Sequence, residues 1–337
     1  MEDVIRLAHG AGGKMMNDLI REMFAIPLDN PYLRQMADSA VMDPTHGKPR
    51  LAVSTDSYTV RPLIFPGGDI GSLAVHGTVN DVAMSGARPL WLTAAFILEE
   101  GLPMATLERV VQSMAEAVWE ASVQIVAGDT KVVERGHGDG IYINTAGVGV
   151  VPDGVMIGPD RARPGDVVLL SGTIGDHGIA VLSKREGLAF ETDLLSDSAA
   201  LNGLVESLLV AAPHVHCLRD PTRGGLAAAL NELAQTSAVG IEIEEGQVPV
   251  RPAVAAACEM MGFDPLTVAN EGKMVVLVPP NESRAALAAL HAHPLGRNAA
   301  RIGFVTEEHP GLVLARTGIG GRRVVDMPLG ELLPRIC

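Results

Sequence analysis

Strand-like and helix-like hydrophobic patterns alternate through the first half of the chain, which restricts that half to a layered α/β architecture. Leu51-Ala52-Val53-Ser54-Thr55-Asp56 is a short β run that ends in polar residues. Asp69 stands where a helix N-cap belongs. Ile70, Leu73, Ala74 and Gly77 then recur at helical spacing and predict a helix to about Met84. A strand over Trp91–Leu98 follows. Pro103 and Thr106 open an amphipathic helix with Leu107, Val110, Val111, Met114 and Val118 on one stripe. Strands at Gln124–Ala127 and Ile141–Val151 complete this half.

The Pro/Gly-rich polar segment Pro159–Asp166 predicts a linker, after which the alternation restarts. Strands are expected at Val167–Leu170, Ile241–Ile243 and Met274–Val278. Helices are expected near Ala199–Ala211, Gly224–Gln235, Pro252–Met261 and Glu282–His291. A length of 337 residues agrees with two domains, expected at 1–158 and 166–317, with a flexible tail over 318–337. Two prolines in the last ten residues exclude a regular helix there. The net charge of −14 disfavours nucleic acid and anionic lipid as partners, and no basic stretch offsets it. Met1-Glu2-Asp3-Val4 lacks the features of a signal peptide, and the apolar stretch Pro89–Leu98 is about half of the ~20 residues that span a bilayer. A soluble cytosolic protein is expected. Three scattered cysteines, Cys217, Cys258 and Cys337, agree with a reducing compartment.

Asp56, Asp81 and Asp129 fall at or near the ends of predicted core elements, and Asp38 is a fourth carboxylate of this kind. Oxygen ligands gathered from separate elements suit Mg²⁺ bound with nucleotide phosphates, whereas each aspartate taken singly reads as a cap or turn residue. Gly10-Ala11-Gly12-Gly13-Lys14 resembles a phosphate cradle, because glycines let backbone N–H groups approach an anion and lysine adds a point charge. Met15 occupies the Ser/Thr position of a Walker A loop, so the segment is not one, and a plain turn fits it equally well. Asp220-Pro221-Thr222-Arg223-Gly224-Gly225 leads into an alanine-rich helix whose N–H groups either receive an anion or are simply capped. His214-x-His216 and His291-x-His293 lack partners at structural-zinc spacing. Cys217 and Cys258 read as buried, inert thiols. Cys337 closes the Gly/Pro-rich tail, where no packing argument requires a thiol. Ten extended residues reach about 33 Å, enough to carry that thiol into a site and out again. A frayed end is the alternative.

His9-Gly10-Ala11-Gly12-Gly13-Lys14, Ser54-Thr55-Asp56-Ser57-Tyr58, Phe65-Pro66-Gly67-Gly68, Asn80-Asp81-Val82-Ala83, Phe96–Pro103, Gly128-Asp129-Thr130-Lys131-Val132-Val133, Asn270-Glu271-Gly272-Lys273 and Pro334-Arg335-Ile336-Cys337 together resemble the HypE family of hydrogenase maturation factors, end to end. The resemblance implies a two-domain aminoimidazole ribonucleotide synthetase-like fold: an α/β domain that dimerises through its sheets, then an α+β domain and a flexible tail. It implies ATP-dependent dehydration of a carbamoyl group on Cys337 to a thiocyanate, which supplies cyanide to the iron of [NiFe]-hydrogenase. The implied partners are the carbamoyltransferase HypF, the HypC–HypD complex and a second copy of the chain.

By the same resemblance Asp56, Asp81 and Asp129, with Asp38, would hold Mg²⁺ and ATP phosphates, together with Asn80. Gly10, Gly12, Gly13 and Lys14 would close over the nucleotide. Glu271 would be the base, and Lys131 would stabilise charge at the transferring group. A small-molecule kinase of the same superfamily and a thiol-presenting scaffold are the competing readings.

Overall fold

The computed structural model describes residues 13–19, 21, 35, 39–42, 49–187, 194–329, 333 and 335–337. Gly10, Gly12 and Asp38 lie outside the described residues. The first half begins with α1 (Lys14–Leu19), β1 (Ala40–Met42) and β2 (Arg50–Tyr58). A hairpin of β3 (Ile64–Phe65) and β4 (Gly68–Asp69) leads into α2 (Ile70–Met84), then β5 (Arg88–Glu99), α3 (Met104–Glu120), β6 (Gln124–Val133) and β7 (Ile141–Val151). The larger sheet runs β1-β2-β7-β5-β6, with only β5 and β6 parallel.

Helix α2 starts where the sequence placed it, because the Asp69 carboxylate accepts from Gly71 N and Ser72 N and the Ser72 hydroxyl returns a bond to the cap backbone. The helix is buried on almost every side, and Ile70, Leu73, Val75 and Val79 are fully buried, which contributes roughly 1.5–3 kcal/mol per side chain. A chain of buried hydroxyls ties α2 to the sheet. Tyr58 Oη lies 3.2 Å from Thr78 Oγ1, Thr78 Oγ1 lies 2.6 Å from Thr145 Oγ1, and Thr145 donates to Ala74 O. The α3 stripe is narrower than the spacing predicts. Val110 and Met114 are buried while Val111 is exposed, because α3 meets α2 along one line at Gly71, where a Cβ would lie 2.1 Å from Val110 O.

The second half comprises β8 (Val167–Leu170), α4 (Asp176–Glu186), α5 (Asn202–Ala211), β9 (Cys217–Arg219), α6 (Gly225–Ser237), β10 (Gly240–Glu244), α7 (Pro252–Met261), β11 (Val275–Val278), α8 (Ser283–Ala292), β12 (Ala300–Thr306), β13 (Val313–Arg316) and β14 (Arg322–Val324). Its seven-stranded sheet runs β14-β13-β10-β12-β8-β11-β9. One face packs Val168, Leu170, Val275 and Leu277 with Leu226 and Leu230 of α6. The other packs Val167, Leu169, Val276 and Val278 with Leu204 and Leu208 of α5 and Leu290 of α8. Strands covered on both faces are continuously apolar, which is why β8 and β11 were legible. Helix α4 was not, because Ile179, Ala180, Val181 and Leu182 are buried in succession and leave no helical period.

The tail residues 318–337 contain β14, and Val325 N–H continues onto Val313 O. The last residues return to the first half, where Leu333, Ile336 and Cys337 join the core that holds Val60, Phe65, Ile179 and Val254.

Candidate active site

The site lies between the two sheets, where the chain end meets the residues that follow β2. Thr59 N–H and Thr59 Oγ1 both donate to Cys337 O, at 3.0 and 3.2 Å. Arg61 N–H donates to Arg335 O, and Arg335 Nε returns a bond to Thr59 O. The Arg335 guanidinium also pairs with Asp139. These bonds form a short antiparallel clasp that leaves Cys337 only 9% exposed.

Three segments bring charge to the region around Arg223, whose guanidinium in turn faces Cys337. From β2 comes Asp56, whose Oδ1 stands 3.9 Å from Arg223 Nη2. From the loop before α6 comes Arg223, whose pKa is raised first by negative charge at Cys337 and then by Asp56, Glu271 and Tyr58, against the opposing effect of burial. From the loop before β11 comes Glu271, which is fixed by its neighbour. Asn270 Nδ2 donates to Pro221 O, and Asn270 Oδ1 accepts from Gly175 N, so one amide joins that loop, the Arg223 loop and the start of α4. Glu271 is 3% exposed, and its Oε1 has no hydrogen-bond partner among the described residues. Burial, then the carboxylates Asp220, Asp56 and Asp197, push its pKa well above the carboxylate range, and Arg223 only partly counters them. Tyr58 is raised for similar reasons, by burial and then by Asp56 and Asp81.

The segment 194–201 seals one side of the site. Asp197 accepts from Glu271 N–H and from Lys273 Nζ, both at 3.0 Å, in a nearly buried pair. Ser196 N–H donates to Pro66 O, and Ser198 Oγ lies 2.9 Å from His76 Nδ1. Asn80, expected at the nucleotide, spends its amide on this closure. Its Nδ2 donates to Ala199 O and Glu271 O, and its Oδ1 accepts from Leu201 N–H.

The aspartates expected to gather do not all meet. Asp56 and Asp81 flank Ser54, whose Oγ donates to Asp81 Oδ2 at 2.7 Å. Asp129 stands elsewhere. Strand β6 does not stop at Ala127 but runs on to Val133, so Asp129 pairs with Ala95 on the open face of the sheet. Asp56 lies on the helix-covered face, with β7 and β5 between β2 and β6, about 14 Å at the usual strand spacing. Lys131 goes with Asp129, holding both carboxylate oxygens at 2.7 and 2.6 Å and lowering the Asp129 pKa. Neither Lys131 nor Asp129 reaches Cys337 within one chain. Gly13 is buried and Lys14 exposed, with Lys14 N–H on Pro328 O. Among the described residues no three His, Cys, Asp or Glu side chains converge on a metal position. Asp56 and Asp81 still fit Mg²⁺, which keeps several waters and takes one or two carboxylates beside substrate phosphates.

Arg223, Thr59 and His177 were not singled out as site residues by sequence. The Asp220–Gly225 loop carried the one usable signal. His214 and His216 are each paired with a carboxylate, Glu282 and Asp166 respectively. Cys217 and Cys258 are buried, with pKa values pushed up to about 12 and about 11 by burial.

Residues 36–151 match the family described as AIR synthase related protein, N-terminal domain, and residues 163–314 match its C-terminal domain. The carbamoyl dehydratase HypE of Cupriavidus necator is 57% identical over 333 residues, covering 99% of this chain and 95% of that protein. Among solved structures, a HypE–HypF complex superposes with a TM-score of 0.88 at 52% identity, over 92% of this chain and 99% of that one. HypE in complex with ATP superposes with a TM-score of 0.84 at 51% identity, over 98% of each chain. With an AIR synthase-related fold in both halves and identity above half to a carbamoyl dehydratase along nearly its whole length, this chain belongs to the HypE family.

Proposed function

We propose that the chain is an ATP-dependent dehydratase acting on a carbamoyl group carried by its own Cys337. The observation that supports this reading is the seating of Cys337 against Thr59 and in the field of Arg223, the guanidinium that also faces the buried Glu271. An amide oxygen is a poor leaving group. Transfer of the γ-phosphoryl of ATP to that oxygen makes phosphate the leaving group, loss of both N–H protons completes the C≡N bond, and ADP and phosphate are released. Glu271 is suited to take protons, because a buried carboxylate with a raised pKa is a stronger base than an exposed one. Arg223 offsets negative charge that develops on the carboxamide oxygen. Asp56 and Asp81 would hold Mg²⁺, which neutralises phosphate charge when bound.

Two copies would share the work. Among the described residues nothing covers the face of the first sheet opposite α2, which carries Trp91 and Ile97, both more than two-fifths exposed. A homodimer through that face would give Asp129 and Lys131 a second chain to serve, with Gly10–Lys14 and Asp38 closing over the nucleotide and Asn80 backing it. The domains are taken as 1–158 and 166–317; because β14 and Val325 belong to the second sheet, the mobile carrier is the part of 318–337 that follows them. The carbamoyl group would come from HypF and the cyanide would pass to iron on HypC–HypD, in the cytoplasm. No helix among the described residues is long and apolar enough to cross a membrane.

Mass spectrometry of the terminal peptide after incubation with carbamoyl phosphate, ATP and the transferase tests the reading. Gain of a carbamoyl group followed by loss of water is expected, and Cys337→Ala abolishes both. Thiocyanate formed by that variant would overturn it, as would turnover unaffected by deleting 334–337.

A further inference from the structure

The end of the chain is held from two sides. The Arg335 carbonyl accepts from Arg61 N–H and from Arg185 of α4, the terminal carboxylate of Cys337 accepts from Thr59, and the Ile336 carbonyl between them faces His177 of α4. There it lies 2.8 Å from His177 Nε2. A carbonyl only accepts, so Nε2 carries the hydrogen. The bare Nδ1 lies 2.8 Å from Ser196 Oγ and accepts its hydroxyl, and that same oxygen accepts Ser198 N–H at 3.0 Å. The imidazole is fully buried, and burial lowers its pKa, so it stays neutral in this tautomer. Its plane is set by the edge of Phe65, with ring centroids 5.4 Å apart and planes at 86°. The Ile336 side chain is buried in the same core, 3% exposed.

We infer that His177 is a positioning residue for the dehydration: its Nε2–H bond to Ile336 O, held in one tautomer by Ser196, sets the docked place of Cys337 beside Arg223. This rests on the reading that Cys337 carries the reacting group. The bond joins the carrier to α4 and, through Ser196, to the segment that also fixes Asp197 and Glu271. Docking of the thiol and closure of the base are thereby coupled.

The test uses the full chain. His177→Phe keeps a ring against Phe65 and removes the donor, His177→Gln returns an N–H near the Nε2 position, and Ser196→Ala removes the group that selects the tautomer. The rate of Cys337 alkylation by iodoacetamide is followed by mass spectrometry on the peptide released at Glu331, with Cys217 and Cys258 too buried to compete. His177→Phe should raise that rate on the order of fivefold, the population change commanded by one buried hydrogen bond. Ser196→Ala should raise it less, and His177→Gln should return it toward the wild-type value. On carbamoylated chains the dehydration rate should fall in parallel, with transfer from the carbamoyltransferase not slowed. A wild-type alkylation rate in a folded His177→Phe chain, or no recovery with Gln, overturns the inference. If His177→Phe does not fold, Ser196→Ala against wild type decides it. Absence of thiocyanate from the wild-type chain would remove the dehydratase reading, while the alkylation comparison, made on unmodified protein, would still decide the role of His177.

Discussion

Glu271 and His76 are both buried titratable residues, and their burial acts in opposite directions. Glu271 is pushed up by burial and by Asp220, Asp56 and Asp197, so its carboxylate fraction grows only above the ordinary carboxylate range. Dehydration should therefore rise with pH along a limb displaced upward from that range, and Glu271→Gln should remove the limb and slow the step roughly 10²–10⁴-fold. Single-turnover rates of the carbamoylated protein across pH check both. His76 is pushed down to about 4 by burial, from 6.5. Its folded pKa is the lower one, so the stability it contributes is present above pH 6.5 and is lost as pH falls through 4, about 3 kcal/mol in all. Denaturant midpoints measured between pH 7 and 4 should fall less in His76→Gln than in wild type.

At the scale of elements, closure depends on loops that approach too closely for a side chain. Gly272 is the tightest, because a Cβ there would lie 1.8 Å from Asp197 O, a backbone atom that cannot swing away. Gly272→Ala should cost about 2 kcal/mol by overpacking and displace the Asp197–Lys273 pair. Chemical denaturation with an unchanged m-value is the measurement. The elements differ in how much of them the sequence exposes. The capping box at Asp69 and the apolar runs of β8 and β11 were legible because local chemistry fixes them. The true ends of β2 and β6 were not. Asp56 and Asp129 read as residues beyond strands, but pairing with β7 and β5 carries the strands through them. Once inside a strand, a residue's face is set by alternation, and that sends the two carboxylates to opposite sides.

For the whole molecule, one face of the first sheet has no covering element among the described residues. Ile97→Glu places a charge on that face without touching α2. It should convert a dimer to a monomer in sedimentation equilibrium, and ATP turnover should fall with it if Asp129 and Lys131 serve a neighbouring copy. A dimer that survives this substitution would locate the contact elsewhere. The two halves of one chain are already joined by 194–201 and by Asn80, whose three bonds cross from α2 to the second half.

The sequence by itself determined the alternation of elements, the acidic balance and the singular position of Cys337, because these follow from local pattern and from motif. Only the tertiary structure decided which of those residues meet. Thr59 and His177 are distant in sequence from Cys337 and carry no local signature of a role, and the loop that holds Arg223 signalled an anion site without saying which group it serves. They reach the chain end because a backbone clasp at 59–61 and a buried imidazole satisfy the carbonyls of Arg335 and Ile336 and the terminal carboxylate, which would be costly to bury without partners.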